Sequence, residues 1–243
     1  MKPTLTLPLV AGLWAVALTA QAQPVTNGDF SAGLSGWEVL GDASVQPAAP
    51  TGQQLWLTTA STAFEDDSPL AAGVLNRSGV AAAEVGVPGG VESFAGLTLG
   101  ALDVDAVGLM AFEGSAARQT FSAAAGDTLS FRWDFGTNDA LADYAFVVLD
   151  GQFSRLAGSV DATLPGGFGD VSKTGDATFN VTFASGGAHT LVFGVVDVGD
   201  FNLTSTLAIG NVQVTAVPEA PALPLLLGGL VVAGLTARRQ NRA

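Results

Sequence analysis

The sequence predicts an all-β chain organised as a single β-sandwich with one short helix. Three observations carry this prediction. Charges are sparse, while β-branched and aromatic residues come in short runs separated by Gly and Pro, the pattern of many strands joined by turns. The stretch TLSFRWDF, residues 128–135, alternates in strand fashion, with Leu129, Phe131, Trp133 and Phe135 on one face and Ser130, Arg132 and Asp134 on the other. Both ends of the 243-residue chain depart from the pattern, and setting them aside leaves a middle of the size of one sandwich with a full core.

The elements follow in chain order. Lys2, the apolar run 5–20 and the small-residue triplet Ala20-Gln21-Ala22 read as a secretory signal peptide over residues 1–22. The β-sandwich domain is expected over 23–216, and a C-terminal hydrophobic helix lies within 217–243. Early strand candidates are 37–40, 54–58 and 105–112. Residues 68–90, rich in Ala, Gly and Val with two prolines, read as a long loop. In VESFAGLTLGAL, residues 91–102, Val91, Phe94, Leu97 and Ala101 recur at helical spacing, which predicts a short helix or turn crossing one end of the sandwich. After TLSFRWDF comes DYAFVVLDG, apolar on both faces and so a covered, central strand. ATFNVTF places Phe179, Val181 and Phe183 inward, and ASGGAH followed by HTLVFGVV predicts a hairpin return. The last strand, 207–217, puts Ile209, Val212 and Val214 in the core with a bulge between 209 and 212.

Charge narrows the function classes. Residues 24–217 carry five basic side chains (Arg77, Arg118, Arg132, Arg155 and Lys173) against twenty-one carboxylates, a net charge of −16. Such a surface repels phosphate backbones, so nucleic acid is not expected as a partner. A neutral glycan, or an anionic one bridged by divalent cations, is compatible. The absence of cysteine removes thiolate catalysis and cysteine metal sites, and the single histidine, His189, removes any multi-histidine site.

The tail has three parts. Val217, Pro218, Glu219 and Ala220 precede a span, 220–237, of eighteen uncharged residues, and Arg238, Arg239 and Arg242 close the chain. As a helix the span is roughly 27 Å long, enough to cross a bilayer narrowly. This order resembles the PEP-CTERM sorting signal of Gram-negative bacteria, although Ala220 stands where that pattern has its second proline. The resemblance implies transient anchoring in the inner membrane, processing by an exosortase-type enzyme at Val217–Ala220 with the arginines as the stop, and a final place at the cell surface or in the exopolysaccharide matrix of a biofilm. Stretches such as QLWLTTAS and DYAFVVLDG are similar to parts of exported PEP-CTERM proteins.

The opening VTNGDFSAGLSGW resembles the first strand and turn of galactose-binding-like jelly rolls, which include several carbohydrate-binding modules; the matching residues are Asn27, Gly28, Phe30, Gly33 and Trp37. The resemblance implies a jelly-roll sandwich with Phe30 in the core, Gly33 turning the chain and Trp37 between the sheets. It also implies positions for a structural calcium, but these are Ser31 and Gly210 here, which lack carboxylates.

No G-x-S-x-G elbow, H-E-x-x-H or Walker loop is present. His189 heads a strand whose same-face neighbours are Leu191, Phe193 and Val195, which reads as structural. A carboxylate pair can run glycoside hydrolysis, but with this many acids chance pairing is expected, and a non-enzymatic reading is preferred. Four oxygen-rich loops are candidates for calcium, with solvated acidic loops as the competing reading: Glu65, Asp66 and Asp67; Asp103 and Asp105; Asp139 and Asp143; Asp197 and Asp200. No other cofactor is expected. Trp56 and Tyr144 are the candidate sugar-stacking residues, with burial as the alternative for each. The expectation is therefore an exported, non-enzymatic surface or matrix protein with glycan binding as its candidate activity. The alternatives are a calcium-dependent adhesin, a structural matrix protein without sugar binding and, last, a glycan-active enzyme.

Overall fold

The structure, a computed structural model, describes residues 25–48, 52–63, 70–103, 108–166, 169 and 172–217. The expected signal peptide and the tail from Pro218 onward lie outside them. Among the described residues no helix is long and apolar enough to cross a membrane.

The strands, in chain order, begin with β1 (Glu38–Leu40), β2 (Asp42–Pro47), β3 (Gln53–Thr58) and β4 (Ala83–Glu84). The helix α1 (Val91–Ala95) precedes the long β5 (Ala111–Ala123), β6 (Thr128–Thr137), β7 (Tyr144–Leu149) and β8 (Gln152–Gly158). The short β9 (Leu164–Pro165) and β10 (Ser172–Lys173) lead to β11 (Ala177–Thr182), β12 (Gly187–Val198) and β13 (Ser205–Thr215). One sheet runs β1-β5-β12-β7-β8, with β4 also paired to β5; the other runs β2-β3-β13-β6-β10-β9, with β11 also paired to β6. The long strands β5, β6 and β7 alternate between the sheets, as do β11, β12 and β13, which is the crossing pattern of a jelly-roll sandwich.

The inter-sheet core holds Phe30, Leu55, Leu57, Leu129, Phe131, Phe135, Phe193 and Leu207, all buried. The opening motif builds its entry. Asn27, at φ 51°, donates from Nδ2 to the Gly33 and Ser35 carbonyls and accepts the Ala32 amide on Oδ1. That turn sets Trp37 between Phe30 and Phe193, with ring centroids 5.4 and 5.7 Å away. Gly28 is required because a Cβ there would overlap the Val212 carbonyl oxygen. The same carbonyl belongs to the bulged part of β13, where the register with β6 shifts between Gly210 and Gln213.

A second apolar cluster covers the outer face of the first sheet. Val192, Val196, Phe146 and Val148 point away from the sandwich and meet Val85, Val91, Ala95 and Leu102 from the segment before β5. This explains why DYAFVVLDG is apolar on both faces. The helix therefore lies over a sheet face instead of crossing an end, and it stops after five residues at Gly96, which adopts φ 72°. Its Glu92 carboxylate accepts the Gly86 and Leu102 amides and so ties the covering segment together.

Two further expectations are corrected. The ASGGAH turn is no hairpin: β11 pairs with β6 and β12 pairs with β5 and β7, so the turn carries the chain from one sheet to the other. Of the strand expected at 105–112, residues 105–107 lie outside the described residues and only 111–112 fall in the observed strand, Ala111–Ala123. Its small residues, Ala116 on the outer cluster and Ala117 in the inner core, blur the alternation that marks a strand.

A candidate functional site at one end of the sandwich

At the end of the sandwich where β3, β6 and β12 finish and β7 and β13 begin, the interior changes from apolar to polar. Thr58, Thr59, Ser61, Ser115, Thr137, Thr204, Ser205 and Thr206 are buried there, together with four carboxylates, Asp42, Glu113, Asp143 and Asp197. Strand register assembles the acids. Glu84 on β4 faces Glu113 on β5, and Glu113 faces Asp197 on β12. Tyr144 pairs with Val196, which sets Asp143 beside Asp197. One row of four carboxylates thus crosses the end of the sheet, and like charges directly opposite repel.

The two sheets treat their acids differently. Asp42, on the second sheet, accepts the Thr58 hydroxyl at 2.5 Å, the Arg77 amide at 3.0 Å and the Ser78 amide at 2.7 Å. Asp143 accepts the Val198 amide at 2.9 Å, and its Oδ2 lies 2.7 Å from Ser205 Oγ, which is itself 2.7 Å from Thr137 Oγ1. Asp139 enters from the loop after β6, where its Oδ1 accepts the Leu141 amide at 2.8 Å. Its Oδ2 and Asp197 Oδ1 are buried without a hydrogen-bond partner among the described residues.

These surroundings move the acids' proton affinities. Burial pushes the Asp197 carboxyl well above the usual carboxylate range, and the carboxylates of Asp143, Glu113, Asp200 and Asp139 push it further. Burial likewise raises Asp143, against the lowering effect of its bonds from Ser205 and Val198. Asp139 is raised by burial as well. Asp139, Asp143 and Asp197 each offer a carboxylate oxygen, and the three oxygens lie within 4.8 Å of one another.

A pocket of about 650 Å³ opens beside the row, with Glu84, Glu113, Ser61, Asn202 and Phe201 in its lining. Phe201 is 50 % exposed and rests on Phe112 with ring centroids 4.8 Å apart. The site therefore presents an aromatic wall next to carboxylates, an amide and a hydroxyl.

The acidic loops read from the sequence divide. Asp139, Asp143 and Asp197 come together, and Asp200 stands close enough to act on all three. Asp103 accepts the Ala111 amide at 3.0 Å and holds the start of β5. Glu65, Asp66, Asp67 and Asp105 lie outside the described residues, as do Pro218, Glu219, Ala220, Arg238, Arg239 and Arg242; Val217 is exposed. Tyr144 is corrected as a sugar-stacking residue. It is 3 % exposed, its hydroxyl donates to the Leu102 carbonyl, and the Arg155 guanidinium lies 5.0 Å from its ring centroid. Trp56 is half-buried, 5.7 Å from the Arg77 guanidinium, and does not line the pocket. His189 lies toward the other end of β12, buried against Phe121 and Phe183, with Nδ1 2.7 Å from Asp150 Oδ2. Sequence reasoning missed Glu84, Glu113, Ser61, Phe201 and Asn202, because only the strand register and the loop paths bring them together.

No protein-family model matches the chain, and no curated protein matches it. Solved structures do align with it. One is the module TmCBM61 in complex with β-1,4-galactotriose, at TM-score 0.37 and 12 % identity over 79 % of this chain and 96 % of that one. A second is described as "CBM4 structure and function", at TM-score 0.31 and 9 % identity over 79 % and 98 % of the two chains. A third is a family 35 carbohydrate-binding module from an environmental isolate, at TM-score 0.23 and 19 % identity over 43 % and 71 %.

Proposed function

We propose that this chain is an exported, non-catalytic protein of the cell surface or exopolysaccharide matrix that binds a neutral glycan in the pocket beside the carboxylate row. The observation that carries the reading is the pocket itself. A sugar ring has an apolar C–H face and a rim of hydroxyls, and Phe201 offers the stacking surface while Glu84, Glu113, Asn202 and Ser61 offer hydrogen-bonding partners. The acidic balance of the domain disfavours an anionic glycan. Export and sorting are supported by the sequence of the two ends: the signal-like 1–22, and the Val217-Pro218-Glu219-Ala220 step with its apolar span and arginines.

Calorimetric titration against a panel of neutral oligosaccharides tests the binding. The expected result is saturable binding that Phe201→Ala and Asn202→Ala each weaken at least tenfold, with no hydrolysis products. Equal binding by the parent and both variants, or binding by none, overturns the pocket reading. Fractionation tests the sorting: full-length protein with its tail intact, held in the inner membrane of a cell that has the processing enzyme, overturns that half.

A further inference from the structure

We propose that Asp139, Asp143 and Asp197 form a binding site for one divalent cation, calcium in preference to magnesium, closed inside the end of the sandwich next to the pocket. The first support is convergence. Three carboxylate oxygens, two from the loop between β6 and β7 and one from the end of β12, lie within 4.8 Å of one another. Two calcium–oxygen bonds placed end to end span roughly 4.8 Å, so one ion can touch all three. The second is an unsatisfied acceptor. Asp197 is 1 % exposed and its Oδ1 has no hydrogen-bond partner among the described residues. A buried ionised carboxylate without donor or counter-charge is costly and calls for a cation or a proton.

The third support is the sign of the surroundings. The charges acting on Asp197 are other carboxylates, those of Asp143, Glu113, Asp200 and Asp139. Four ion pairs between described residues, Arg118–Glu38, Arg132–Asp176, Lys173–Asp134 and His189–Asp150, involve none of these three aspartates. Ser205 Oγ, 2.7 Å from Asp143 Oδ2, adds a neutral oxygen at the rim. Calcium is favoured because an ion entering a buried nest of oxygens must shed its water, which magnesium does reluctantly. The site lies at the start of β13, at Ser205, while Gly210 is in the middle of that strand.

The test uses the purified full chain in detergent, stripped with chelator and titrated with calcium or magnesium chloride. The expected result is a rise in Tm of roughly 5–10 °C at calcium a hundredfold above its Kd, with magnesium at least tenfold weaker. Asp197→Asn and the half-buried Asp139→Asn should each abolish the rise; Asp197→Asn should also leave the chelated protein more stable than the parent, which a merely structural aspartate would not do. No calcium response up to about 10 mM, ten times the weakest affinity usual for extracellular calcium modules, overturns the site. So does an equal response in the parent and both variants. Magnesium binding as tight as calcium overturns the stated preference. The titration contains no glycan, so its outcome is independent of the pocket reading.

Discussion

Asp42 and Asp197 are both buried carboxylates at the same end of the sandwich, one on each sheet, and the fold treats them in opposite ways. Asp42 is 0 % exposed and collects a hydroxyl and two backbone amides from Thr58, Arg77 and Ser78. Asp197 is 1 % exposed, has an orphaned oxygen, and faces Glu113 across the ladder with Asp143 alongside. Donors that converge on a carboxylate make it a structural fixture, because hydrogen bonds to a charged acceptor are individually strong. Carboxylates that converge on one another leave an electrostatic deficit that only something from solution can fill.

The largest expected effect breaks the first half of the contrast. Asp42→Ala removes a charged acceptor and strands the donors aimed at it, and it should destabilise the domain by about 3–5 kcal/mol in urea unfolding. A loss under about 1 kcal/mol would mean that Asp42 is as dispensable as an exposed acid. The second prediction is of opposite sign. In chelator, Asp197→Asn relieves the crowding and should stabilise by about 1–3 kcal/mol, since each unit by which a pKa is raised corresponds to about 1.4 kcal/mol. A destabilisation of similar size would erase the contrast.

How much of this contrast the sequence carries depends on distance along the chain. The alternation in TLSFRWDF, the doubly apolar YAFVVL and the phase break in the last strand are local, and each corresponds to an observed element: β6, β7 and the bulged β13. Asn27, Phe30 and Trp37 are likewise legible because their turn closes within about ten residues. The hairpin failed for a physical reason: a glycine turn such as ASGGAH serves equally to return a strand beside its predecessor or to pass it to the facing sheet. Tyr144 failed because its burial depends on Leu102, forty-two positions away. The acid row is the extreme case. Glu84, Glu113 and Asp197 are neighbours only through the register of three strands, so their local surroundings give no sign that the acids meet.

The third prediction concerns pH. Asp143 and Asp197 are raised in the folded protein above the ordinary carboxylate value of about 3.9. The folded state then holds more protons than the unfolded chain once the pH exceeds about 4. The stability they contribute is complete below that pH and is lost as pH rises through their folded values. Chelated protein should therefore lose stability from these groups as pH rises from about 4 through neutrality. Asp197→Asn should flatten the slope, and a chelated parent with stability rising over that range would contradict the crowding.

The smallest effect calibrates the others. Asp176 is an aspartate with a cation at hand, Arg132 Nη2 at 2.7 Å, but both side chains are about half exposed, at 55 % and 51 %. Water already solvates the two charges, so pairing them gains little and separating them costs little. Asp176→Asn should change stability by less than about 1 kcal/mol, with or without calcium, in the same unfolding experiment. If it cost as much as Asp42→Ala, the burial of Asp42 and Asp197 would not be what sets them apart. If it changed the calcium response, the cation would be binding on the surface and not at the end of the sandwich. A near-zero effect leaves burial, and the chemistry of what converges on each buried oxygen, as the cause of the difference between the two aspartates.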